Sequence, residues 1–152
     1  MEVEILNRML MQEDESAAKQ KFVEVFTTRS WKWIKEINGI FQDVSKKYTL
    51  QTAIKKALGD GNTARALQTI ADFAAQPFDY SAKLLRKSMK GMGTDEAGMR
   101  RVLISRAEID LRDIAIVFGQ RYGDGKTLQK WLKEDLGGDT EKLALAVCGL
   151  AE

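Results

Sequence analysis

The chain has 152 residues, 44% of them apolar and 30% charged, with a net charge of +2. That balance suits a buried core inside a solvated shell, excludes global disorder and is too near neutrality to mark a nucleic-acid binder. There is no histidine, the commonest general base and transition-metal ligand, and the single cysteine, Cys148, excludes an intramolecular disulfide.

The N-terminal stretch MEVEILNRMLMQEDESAAK is acidic from residue 2, without the basic start and apolar segment of a secretory signal. No run approaches the ~18 consecutive apolar residues needed to span a bilayer. The expectation is a cytoplasmic protein that meets membranes, if at all, from outside. The only proline, Pro77, divides the chain into halves 1–76 and 77–152. Both read as helix throughout, because apolar residues recur every three or four positions and no alternating strand pattern appears.

In the first half, Gln12–Ala18 forms an acidic connection containing Glu13, Asp14 and Glu15. The stripe Ile34, Ile37, Phe41 marks a buried helix face, with Trp33 off it and open either to an interface or to burial in its own half. In the second half, Tyr80, Leu84, Leu85 and Met89 are predicted to share one face of a helix over 79–90. Thr94 is predicted to cap a helix beginning at Asp95, with Asp95 and Glu96 favoured by its positive end. Ile109, Ile114, Val117, Phe118 and Tyr122 form the next apolar series, with Ile116 out of phase. Helical segments over 127–136 and 140–149 follow, split by Gly137-Gly138, and Cys148 lies in an apolar run that predicts a buried thiol.

The halves are copies. FVEVFTTRSWKWIKEINGIF over 22–41 aligns with MRRVLISRAEIDLRDIAIVF over 99–118, so that Val25, Arg29 and Phe41 fall on Val102, Arg106 and Phe118 at a constant offset of 77 (106 − 29). Thr49-Leu50-Gln51 meets Thr127-Leu128-Gln129 at 78 (127 − 49), and Gly61-Asn62-Thr63 meets Gly138-Asp139-Thr140 at 77 again. A repeat of this length, with five short helices per copy, indicates a helical repeat architecture.

The segment that carries chemistry is Met89-Lys90-Gly91-Met92-Gly93-Thr94-Asp95-Glu96. A helix runs into Gly-x-Gly and a second leaves it. Two glycines so close permit a backbone that turns carbonyls to one side of a short loop. Carbonyl oxygens are hard, uncharged ligands suited to calcium, and a carboxylate must then arrive from elsewhere. Catalysis is poorly served. Glu96 stands where a dinucleotide fingerprint needs a small residue, no Gly-Lys-Ser/Thr phosphate loop exists, and Asp60-Gly61-Asn62 fails the EF-hand pattern at Ala64 and Arg65.

MKGMGTDE, then SRAEIDLRDI, then LKEDLGGDTEKLALAVCG resembles the fourth repeat of an annexin, and the first half, with FTTRS and the segment 49–75, resembles the third. The likeness covers nearly the whole chain and is weakest over 1–21. It implies an all-α fold of two five-helix repeats in a right-handed superhelix. It also implies a type II calcium site in the second repeat only, with Ca2+ held by the carbonyls of Met89, Gly91 and Gly93 and the carboxylate of Asp135. Glu134 is the alternative carboxylate, and Thr94 and Glu96 are candidates for a weaker accessory ion. In the first repeat the glycine pair is missing, and Ala57 stands in place of Asp135.

The implied function is calcium-dependent attachment to anionic phospholipid membranes, with Met92 entering the interface and Lys90 approaching a headgroup. The implied location is cytoplasmic, and peripheral on membranes when calcium rises. A two-fold homodimer would rebuild a four-repeat disc. A calcium-independent scaffold or cytoskeleton-associated protein is the competing reading, and no nucleic-acid partner is expected.

Overall fold

The computed structural model describes residues 2–12, 14–91 and 93–149. Among them the backbone forms ten α-helices and no strand. The chain divides into two compact units, Met1–Gln76 and Pro77–Glu152. The first contains α1 (Glu2–Met11), α2 (Glu15–Thr28), α3 (Trp31–Val44), α4 (Leu50–Leu58) and α5 (Asn62–Ala75). The second contains α6 (Pro77–Met89), α7 (Glu96–Arg106), α8 (Leu111–Arg121), α9 (Leu128–Asp135) and α10 (Gly138–Val147).

Local chemistry sets most helix starts. Asp14, Ser30, Thr49, Asp95 and Thr127 each accept a backbone N–H from three residues on, at 2.9–3.3 Å, and such caps typically contribute about 1 kcal/mol apiece. Pro77 occupies the first position of α6, where its fixed φ suits the helix and its missing N–H costs nothing.

Each unit buries its own core. Leu6, Phe22, Ile37, Phe41, Leu50 and Ile54 are fully buried in the first, and Leu85, Met99, Ile114, Phe118, Leu128 and Leu132 in the second. These sets superpose on the sequence repeat: Ile37/Ile114 and Phe41/Phe118 differ by 77, and Leu50/Leu128 and Ile54/Leu132 by 78 (128 − 50). The repeat is therefore a repeat of core positions, and the hydrophobic effect at these sites is what specifies both units.

Several sequence expectations need correction. The buried face of α6 is Ser81, Ala82, Leu85, Ser88 and Met89, whereas Leu84 is exposed and Tyr80 half-buried. The two serines tolerate burial because each hydroxyl donates to its own helix, Ser81 to Pro77 O at 2.8 Å and Ser88 to Leu85 O at 2.9 Å. Ile109 precedes α8 and is exposed, and Leu111 takes the inward position instead. Thr94 is not a cap: α7 begins at Glu96 with Asp95 as its N-cap. Cys148 is half-buried, and that burial pushes its thiol up to about 11. Trp33 packs against the first core beneath the Arg29 guanidinium, 5.5 Å from its ring centre, and it is Trp31 that is exposed, edge-on to Phe73.

Candidate metal centre

The loop between α6 and α7 starts from a buried anchor. Met89, the last residue of α6, is 3% exposed, so the first carbonyl of the loop leaves from a fixed point. Lys90, Gly91 and Gly93 are exposed, and Met92 lies outside the described residues. Gly91 adopts φ +126° and Gly93 φ +92°, backbone conformations open to glycine and strained for other residues. The loop is closed by Asp95 N–H, which donates to Ser88 O at 2.8 Å.

Asp135 is the last residue of α9. Its Oδ2 accepts the Thr94 hydroxyl at 2.6 Å, across 41 residues of sequence. This bond brings the carboxylate beside the glycine loop. It also explains why Thr94 leaves the cap to Asp95: the hydroxyl is committed to Asp135. One oxygen carries the Thr94 bond, which leaves Oδ1 and the second lone pair of Oδ2 for a further partner. A carboxylate at the C-terminus of a helix faces the negative end of the dipole, so a cation or further donors there would be stabilising. Glu134, one residue earlier, is turned to Lys126, with Nζ–Oε2 at 2.5 Å. Glu96 faces Arg100 within its own helix at 3.6 Å. Among the described residues, no three Asp, Glu or Cys side chains converge to hold a metal. Carbonyls must therefore supply most ligands of any ion bound at this loop, as calcium accepts and softer metals do not.

The first unit spends the same stretch differently. Its connection is the short segment 12–14, and α2 begins at Glu15, seven residues before the buried Phe22 (22 − 15). In the second unit α7 begins only three residues before the equivalent Met99 (99 − 96). One helical turn in the first unit is thus replaced by the glycine loop in the second. Asp14 caps α2 by accepting Ala17 N–H at 3.0 Å, and Ala57, in place of Asp135, is buried.

A three-way contact fastens the end of α8 to the first turn of α6, at the end of α6 away from the loop. Asp79 accepts Arg121 Nη1 at 2.7 Å and the Tyr122 hydroxyl at 2.9 Å. Burial pushes the Asp79 carboxyl up, but these two donors outweigh it and hold the group below its ordinary range. Burial, and the bond to Asp79, push the Tyr122 phenol up. Neither Thr94's bond to Asp135 nor this contact was anticipated from the sequence. A hydroxyl directly after Gly-x-Gly was the available signal for the first, and a capping role concealed it.

The ten-helix fold is similar to that of solved annexins, and residues 80–147 match the annexin family model. The chain as a whole is annexin-like. It is 36% identical to mouse annexin A6 over 138 residues, which is 90% of this chain and 20% of that protein. It superposes on the solved structure of annexin III with a TM-score of 0.77 at 32% identity, over 88% of this chain and 40% of that one. It superposes equally well, TM-score 0.77, on a calcium-bound annexin (Sm)1 at 26% identity, over 97% of this chain and 39% of that one. The chain therefore spans well under half the length of these proteins. No helix among the described residues is long and apolar enough to cross a membrane.

Proposed function

We propose that the second unit binds anionic phospholipid membranes in a calcium-dependent manner through the loop 89–93 and Asp135. The observation that carries this reading is the 2.6 Å hydrogen bond from Thr94 to Asp135, because it brings a carboxylate to a glycine-bent loop that has no acid of its own. The fold's likeness to a calcium-bound annexin supports it.

The carbonyls of Met89, Gly91 and Gly93 and the carboxylate of Asp135 would hold the ion. Calcium bound there would supply a divalent charge and coordination positions open to a lipid phosphate. A single carboxylate leaves net positive charge at the site, so affinity in solution is low and an anionic headgroup completes the balance. Lipid and ion then raise one another's affinity by the same factor. Thr94 fixes the carboxylate rotamer. Lys90, exposed at the loop, adds attraction for an anionic surface. No bond is made or broken. Two copies related by a two-fold axis would present two such loops and gain avidity; sedimentation velocity showing only monomer at tens of micromolar removes that part of the proposal.

Pelleting with phosphatidylserine vesicles tests the reading. The protein is expected to sediment with vesicles in calcium, to remain in the supernatant with chelator, and to lose sedimentation in Asp135→Ala. Sedimentation indifferent to both calcium and Asp135 would instead favour a calcium-independent scaffold.

A further inference from the structure

We infer that the stacked pair Arg86 and Trp131 is a brace that holds the two halves of the candidate calcium site in register. The inference rests on the calcium reading for its purpose, though not for its geometry. Arg86 lies on α6 three residues before Met89, and Trp131 lies on α9 four residues before Asp135, about one helical turn behind a candidate ligand in each case. The Arg86 guanidinium sits 4.0 Å from the centre of the Trp131 ring.

Other packing does little to join these two helices. In the second unit α6 packs chiefly on α7 and α8, whereas α9 packs on α8 and α10. The stack therefore links α6 to α9 where helix packing does little, about one turn behind the Thr94–Asp135 bond. Its surroundings are built to keep it closed. Arg86 is 14% exposed and pairs through Nη2 with Asp124. Trp131 Nε1 donates to Gly123 O at 2.8 Å, and Lys126 lies 5.6 Å from the ring centre while pairing with Glu134. The connection 123–126, shaped by Asp124 at φ +50° and Gly125 at φ +82°, is thereby clamped onto both helices. Arg86 Nη1 is buried without a hydrogen-bond partner. Asp124 meets the guanidinium charge through Nη2, and the ring face is the remaining cover for the Nη1 side, so losing the ring leaves that buried donor with neither a partner nor a π face.

The first unit supplies an internal comparison. Its buried α1 residues Leu6 and Leu10 correspond to Leu85 and Met89 at an offset of 79 (89 − 10), which puts Asn7 opposite Arg86. The offset of 78 across α4 and α9 puts Ala53 opposite Trp131. The unit without the glycine loop and the distal carboxylate also lacks both members of the stack. A general requirement of the fold would have kept the pair in both units.

The test uses the full chain, first without metal. Hydrogen exchange of the Asp95 amide, which closes the loop onto Ser88, is compared with amides of α7 and α10 as references. In Arg86→Met and Trp131→Leu the Asp95 amide is expected to exchange about tenfold faster, the scale of losing a partly buried cation–π contact, with the references unchanged. Trp131→Phe, which keeps a ring face, should stay within about threefold of the parent, and Arg86→Lys should fall between. Calcium titration of the same proteins should show affinity weakened in the same order. Equal acceleration of the reference amides, or an unmoved Asp95 amide in all four variants, overturns the brace. If Arg86→Met does not fold, the graded pair Trp131→Phe and Arg86→Lys decides. A parent protein that binds no calcium defeats the functional reading separately, and the exchange pattern still judges the brace.

Discussion

Substituting Gly91 by alanine isolates the role of the loop's backbone. An added β-carbon would meet no atom within 4 Å, so sterics outside the residue contribute nothing. The whole effect comes from φ +126°, which an alanine holds at a cost of about 1–3 kcal/mol. In the metal-free protein the exposed loop can relax, so the melting temperature should change little. Binding must then restore the bent backbone that aims the carbonyls, and the cost appears as affinity. One to three kcal/mol corresponds to roughly 5- to 150-fold weaker calcium binding. Calorimetric titration of calcium in the presence of phosphatidylserine vesicles measures it. Gly137→Ala is the matched control, since Gly137 has negative φ and equal space. Unchanged calcium affinity and unchanged melting in Gly91→Ala would refute the reasoning, because the strain would then have no consequence in either state.

Other outcomes follow from the same structure. Gly39 lies inside α3 at negative φ with open space around it, so Gly39→Ala should stabilise by about 0.5–1 kcal/mol in urea melts. Asp79 is held below its ordinary range in the folded state, so its contribution is present above the unfolded carboxyl pKa and is lost as pH falls through the folded value. Asp79→Asn should therefore flatten the loss of stability below about pH 4 that acid titration records for the parent. Tyr122 has the opposite sense: its raised phenol favours folding below about pH 10 and loses that contribution as pH climbs past the folded value. Cys148, raised to about 11, should react with a disulfide reagent at pH 8 about an order of magnitude slower than a free thiol. The thiolate fraction falls roughly two orders, and the greater nucleophilicity of a more basic thiolate returns about one.

The sequence carried the architecture because the architecture is a pattern of apolar positions. Phe41 with Phe118 and Leu50 with Leu128 are legible as repeats, and they are the cores. Amphipathic faces read less well. Leu84 and Ile109 look inward by type but are exposed, while Ser81 and Ser88 look outward by type but are buried with their hydroxyls bonded to their own helix. Composition does not register that internal satisfaction. The candidate site was legible in its parts, since Gly-x-Gly announces a bent loop, but the meeting of Thr94 with Asp135 depends on how α9 packs. The Arg86–Trp131 stack is less visible still. Neither residue belongs to a local motif, and only their absence at Asn7 and Ala53 in the other copy distinguishes them.

The most direct measurement is a crystal soaked in calcium, with anomalous differences recorded. A single strong peak is expected between the carbonyls of Met89, Gly91 and Gly93 and the carboxylate of Asp135, at about 2.3–2.6 Å from each oxygen. A peak in the first unit alone, or at Asp139 and Glu141 with the loop 89–93 empty, would contradict it.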